Sequence, residues 1–146
     1  MSGRFWLRFA AVVSLLLALA HTVGFTKTKA GAQLTIRRAM EAAPFDLAGS
    51  TRTYWDLYVG FGLIISALML AQAAVLWWLA GQESRHPGES RGLVAVLFLA
   101  NLAVLGLDWR YLFGAPLVST AVITLAIGAG LVTLGGRAAR PSTVAV

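Results

Sequence analysis

Between Leu57 and Ala80 the chain runs for 24 residues without an Asp, Glu, Lys or Arg. As a helix this stretch is roughly 36 Å long at 1.5 Å per residue. The hydrocarbon layer of a bilayer is about 30 Å thick and needs about 20 apolar residues to cross it. The flanks agree. Tyr54 and Trp55 stand at one end, Trp77 and Trp78 at the other. Trp and Tyr collect at the two membrane–water interfaces. Trp55 and Trp77 are 22 residues apart, so as a helix their separation of roughly 33 Å matches one bilayer crossing. The segment 54–80 is therefore expected to span a membrane.

Three further segments meet the same length and polarity test. Residues 5–25 carry Arg8 near one end and His21 near the other. Residues 92–107 are short, with Asn101 near the middle. Residues 111–134 have Pro116 in the opening turns and Gly128 and Gly130 later. Composition points the same way, with 58% hydrophobic residues and only 12% charged, against about a quarter charged in ordinary soluble domains. The expected fold is all-α: a left-handed transmembrane antiparallel four-helix bundle forming one domain over residues 1–146. The first span has a rival reading. Arg4, Arg8, a Leu-rich run and Ala18-Leu19-Ala20 also resemble a secretory signal with its cleavage site; an uncleaved span is the expectation adopted.

The connections differ in kind. Residues 26–53 are long and basic, and Ala32–Ala43 has the pattern of a short interfacial helix with Leu34, Ile36 and Met40 apolar. Pro44 and then Gly49-Ser50 break it. Gly81–Arg91, with His86-Pro87-Gly88, reads as a polar turn, and Asp108-Trp109-Arg110 as a tight one. Six Lys or Arg residues fall on each side of the resulting topology, so the positive-inside rule does not choose an orientation. Arg4 and Arg8 at the start of the first span favour a cytoplasmic N-terminus.

The formal net charge of +6 suits lipid phosphates better than nucleic acid. The basic residues lie between apolar runs, and no block exceeds Arg37-Arg38. With no cysteine, disulfides, thiolate catalysis and Cys-ligated metals are excluded. Only two histidines exist, His21 and His86, at opposite ends of the expected bundle. No metal site and no cofactor is expected.

Alternating spans bring the end of the first, the start of the second, the end of the third and the start of the fourth to one face. That face receives His21, Arg52, Asp56, Tyr58, Asp108 and Arg110, under the long basic connection. Ionisable groups at membrane depth are costly and mark functional sites. His21 and Asp56 are the candidate catalytic acid and base, expected to meet directly or through one water, since an imidazole oriented by a carboxylate handles protons. Arg52, Trp55, Tyr58, Asn101, Asp108 and Arg110 are the candidate ligand-binding residues. Each has a structural alternative. Thr53-Tyr54-Trp55-Asp56 fits the capping box, in which Asp56 merely serves the helix start. Arg52 and Asp56, four apart, are spaced to pair along a helix. Asp108 and Arg110 fit an interfacial ion pair, and Asn101 and Gln72 fit interhelical packing amides.

His21-Thr22-Val23-Gly24 and Arg52-Thr53-Tyr54-Trp55-Asp56-Leu57-Tyr58-Val59-Gly60-Phe61-Gly62-Leu63 resemble segments of a family of small, uncharacterised bacterial four-helix integral membrane proteins. The resemblance implies a membrane bundle over nearly the whole chain and carries no established activity. At the level of fold the chain is also similar to DoxX-like proteins and the sterol-isomerase/sigma-2-receptor group, which hold polar residues in an intramembrane pocket. Three functions follow as expectations. One is binding of a lipid, a hydrophobic small molecule or a partner at the polar end. Another is proton-transfer catalysis by His21 and Asp56 on a lipidic or isoprenoid substrate. The third is a transporter or channel component, which four short spans would build only as a homo-oligomer.

Topology is open to direct measurement. Reporter fusions after residues 30 and 112 should register one side of the membrane, and fusions after residue 86 and at the C-terminus the other. A C-terminal reporter on the side of residue 30 would overturn four spans.

Overall fold

A computed structural model describes residues 2–27, 30–112 and 114–138. Five helices are present: α1 Gly3–Thr26, α2 Ala32–Glu41, α3 Tyr54–Arg85, α4 Arg91–Tyr111 and α5 Gly114–Ala138. The class is all-α, as expected, with one added strand pair, β1 Pro44–Leu47 and β2 Ser50–Thr53. Four of the helices are long and apolar enough to cross a membrane. The chain is thus an integral membrane protein. Ala18-Leu19-Ala20, the cleavage site of the rival signal reading, lies inside α1, which continues to Thr26.

The C-terminal ends of the four long helices run on past the expected spans, whereas α2 stops short at Glu41 and α5 starts late at Gly114. α3 continues through Gly81–Arg85, and α4 continues through Asp108, Trp109, Arg110 and Tyr111. Polarity marks where a chain leaves lipid but not where a helix stops. The backbone keeps its hydrogen bonds by staying helical until a residue interrupts it. Behind α3 that interruption is the turn at His86–Ser90, where both carboxylate oxygens of buried Glu83 accept the Gly88 N–H at 3.2 and 3.1 Å. The connection between α4 and α5 therefore follows Tyr111 rather than falling at Asp108–Arg110. Of the tail from Arg137, residues 139–146 lie outside the described residues.

The chain divides into two units, residues 1–17 with 70–146, and residues 18–69. In the first, Leu7 of α1, Leu76 of α3, Val94 of α4 and Ile127 of α5 belong to one buried cluster, with Ala10, Ala11, Ala80 and Ala126 between the larger side chains. Small residues let membrane helices approach closely without a hydrophobic drive between them. Gly128 has this role most clearly: a Cβ there would lie 2.9 Å from the Phe98 ring. Polar side chains also join helices. The Asn101 amide donates to Gln72 Oε1 at 3.1 Å and to Leu97 O at 2.9 Å, while Gln72 Nε2 donates to Asn101 Oδ1 and to Ser14 Oγ, each at 3.3 Å. One amide network thus ties α1, α3 and α4.

The second unit contains the end of α1, the interfacial-type helix α2, the strand pair and the start of α3. α2 buries none of its residues, and Ile36 is 61% exposed. The hairpin pairs Phe45 with Arg52 and Leu47 with Ser50. Its two turn residues, Ala48 and Gly49, both have positive φ, at 48° and 80°. That combination fits the tight turns that match strand twist.

The outward faces are apolar. Leu68 is 65% exposed, Leu125 73% and Val132 75%, as suits helices solvated by lipid. Replacing Leu68 with Arg should impair insertion, since an arginine at a helix centre costs on the order of 3 kcal/mol on insertion scales. Membrane abundance of Leu68→Arg measured against the wild type checks this; equal abundance would show that Leu68 does not meet lipid.

Candidate functional site

The start of α3 forms the expected capping box. Thr53 N donates to Asp56 Oδ2 at 2.8 Å, Thr53 Oγ1 donates to the same oxygen at 2.9 Å, and Asp56 N donates to Thr53 Oγ1 at 3.1 Å. Two backbone donors that a helix start leaves open are thereby satisfied. Arg52 does not pair with Asp56. It belongs to β2, where the chain is extended, and its guanidinium donates to Thr51 O at 2.9 Å. The four-residue spacing brings side chains together only when both lie in one helix.

His21 lies elsewhere. Its Nδ1 is 3.0 Å from Ser66 Oγ, and Ser66 also meets Thr22 Oγ1 at 2.8 Å and Gly62 O at 3.1 Å. Ser66 is 10 residues beyond Asp56 in α3, roughly 15 Å along the axis. His21 and Asp56 therefore form no hydrogen bond or ion pair, and one water does not bridge such a gap. The expected pair is corrected: each residue has its own partner. Around His21 the rings continue in steps. Its centroid is 5.3 Å from that of Phe25, Phe25 is 6.5 Å from Tyr58, and Tyr58 is stacked on Trp55 at 5.2 Å. Gly62 makes room for Phe25, whose ring would lie 3.1 Å from a Cβ there.

At the end of this series the Arg37 guanidinium of α2 sits 4.7 Å from the Trp55 ring centroid, and Arg37 Nε donates to Glu41 Oε1 at 2.8 Å. A cleft of about 220 Å³ opens here, lined by Gln33, Ile36, Arg37, Met40, Trp55 and Tyr58. Trp55 and Tyr58 were legible as candidates from the sequence. Gln33, Ile36, Arg37 and Met40 were not, because only the docking of α2 beside α3 selects one side of that helix. A second cleft of about 280 Å³ lies at the α3–α4 turn, beside Trp78, Gln82, His86 and Glu89.

The remaining candidates belong to the other unit. Asn101 is buried in the amide network described above. Asp108 is 6% exposed and has no hydrogen bond or ion pair from its carboxylate among the described residues. Arg110 lies over the Tyr111 ring at 5.3 Å. The expected Asp108–Arg110 pair is not formed, because both residues are in α4 and positions two apart project to nearly opposite sides of a helix. No group of three or more His, Asp or Glu suited to a metal ion occurs among the described residues.

No protein family, curated protein or solved structure matches this chain.

Thr53→Ala should cost about 1 kcal/mol of stability by opening the cap, and Asp56→Asn should also lower stability, by removing the acceptor of the Thr53 N–H. The double variant should cost little more than either single one, since both remove the same reciprocal bonds. Chemical or thermal unfolding in detergent measures this; additive losses would show two independent roles.

Proposed function

We propose that this membrane protein binds an amphipathic, lipid-like molecule with an anionic end in the cleft between α2 and the start of α3. The observation that carries the reading is the lining itself. Arg37 and Gln33 supply a cation and an amide, Ile36 and Met40 an apolar side, and Trp55 and Tyr58 a stacked aromatic wall. Trp and Tyr combine an apolar body with a polar handle and suit the membrane interface. Pockets for whole small ligands commonly measure about 300–1,000 Å³. A cleft of about 220 Å³ therefore suits a headgroup or one chain segment, with the rest of the ligand left in the bilayer. Residues 27–53 hold five Lys or Arg against two acidic residues, a balance that favours anionic headgroups. The Arg37–Glu41 pair is partly exposed; such pairs are worth about 0–1 kcal/mol, so a phosphate or carboxylate can compete for the guanidinium.

The family resemblance carried by the Arg52–Leu63 segment fits a small bacterial inner-membrane protein. In the orientation favoured by Arg4 and Arg8 the cleft faces away from the cytoplasm. Catalysis by His21 and Asp56 acting as a pair has no geometric support, since the two side chains serve different partners.

Native mass spectrometry of the purified protein tests the proposal. Wild type should retain an anionic phospholipid in preference to a zwitterionic one of the same chain length. Arg37→Ala and Trp55→Ala should each weaken retention about tenfold, whereas Asp56→Asn should not. Equal retention of both lipids, or by all variants, would refute the cleft as the site.

A further inference from the structure

We infer that His21 offers its Nε2 as a hydrogen-bond acceptor inside the membrane, for an apolar molecule ending in a hydroxyl group. This site is separate from the α2–α3 cleft and does not rest on it.

The hydrogens around Ser66 can be counted. Thr22 Oγ1 lies 2.8 Å from Ala18 O and 2.8 Å from Ser66 Oγ. The Ala18 carbonyl can only accept, so it takes the single Thr22 hydrogen. The Ser66 hydrogen then goes to Thr22 Oγ1 or to Gly62 O, which lies 3.1 Å away. Either choice leaves none for the 3.0 Å contact with His21, and the hydrogen there must come from Nδ1. This arrangement makes three bonds, from His21 to Ser66, onward from Ser66, and from Thr22 to Ala18. The reverse order, with Thr22 donating to Ser66 and Ser66 to His21, makes only two. The larger number of bonds favours the tautomer with its hydrogen on Nδ1 and its lone pair on Nε2. Ser66 is a positioning residue, 5% exposed and too enclosed to act on a ligand itself.

Nε2 has no partner among the described residues, and it is not sealed within the protein either, for among those residues no side-chain nitrogen or oxygen atom wholly shut off from the surface is left without a bond. Depth supplies the second half of the argument. Ser66 stands 11 residues from Trp55 and 11 from Trp77, roughly 16 Å along α3 from each aromatic belt. At that level the surroundings are hydrocarbon, where an unsatisfied polar atom is costly. The chemistry that relieves Nε2 is a single O–H donor on an otherwise apolar molecule, and the tilted Phe25 ring 5.3 Å from His21 offers such a molecule an apolar surface.

The test uses the full chain in detergent micelles and a photoreactive long-chain alcohol as probe. The probe should label residues near His21. Excess 1-hexadecanol should suppress labelling at least tenfold more effectively than hexadecane, and His21→Phe should lose the labelling. Nitrogen NMR of the histidines should find the His21 hydrogen on Nδ1 in wild type and a mixed tautomer in Ser66→Ala, with weaker labelling. Arg37→Ala should label like wild type, which separates this site from the cleft. Equal competition by hexadecane, or a wild-type His21 with its hydrogen on Nε2, would overturn the inference. Both of those measurements need only the wild-type protein, so a variant that fails to fold does not decide the outcome.

Discussion

Every polar atom that enters lipid must bring or find a hydrogen-bond partner, because the hydrocarbon supplies none. The backbone meets this demand by remaining helical, which is why α3 and α4 outlast their apolar stretches. Side chains meet it by three routes. Thr22, Ser66, Thr124 and Thr133 turn their hydroxyls back to carbonyls of their own helices. Asn101 and Gln72 satisfy each other across helices. Thr53 and Asp56 close the start of α3 where it meets water and headgroups. His21 follows the second route with one nitrogen only, and the other nitrogen is what makes it chemically distinctive.

The same demand explains what could be read from the sequence. Span number and class follow from lengths of uncharged chain, and lipid admits few alternatives to a helix at those lengths. The capping box was legible because it is local: Thr53 and Asp56 are three residues apart, and the motif needs nothing else. The interfacial helix was legible from the spacing of Leu34, Ile36 and Met40 and ends at Glu41, close to the expected Ala43.

Apart from Asn101 and Gln72, which read as packing amides between helices and bond across them, pairings between helices were not legible. Whether His21 meets Asp56 or Ser66 depends on how far α1 slides and turns against α3, and hydropathy is nearly uniform along both. One signal was available: Ser66 is the only Ser or Thr between Leu57 and Ala80, and a lone hydroxyl in such a run invites a search for its partner. The β1–β2 hairpin escaped for a different reason. Its strands have four residues each, and Ala48-Gly49 lacks the Asn or Asp that usually announces a tight turn with positive φ. Asp108–Arg110 was read as a turn because charge was taken to mean the end of a helix. The helical spacing that then applies is the reason the two cannot pair.

The brevity of the link between Tyr111 and Gly114 has a consequence for biosynthesis. With only residues 112 and 113 between them, α4 and α5 leave no free length for one to cross the bilayer and wait for the other. The two must enter together as a hairpin. Their mutual contacts, such as Phe98 against Gly128, join residues 30 apart in sequence, and the entropy of loop closure grows only slowly with length. Assembly of this pair is thus a local event that can be complete as soon as α5 has left the ribosome. The rest of the fold needs the meeting of α1 with α3, which must wait for the long basic connection to be made and positioned.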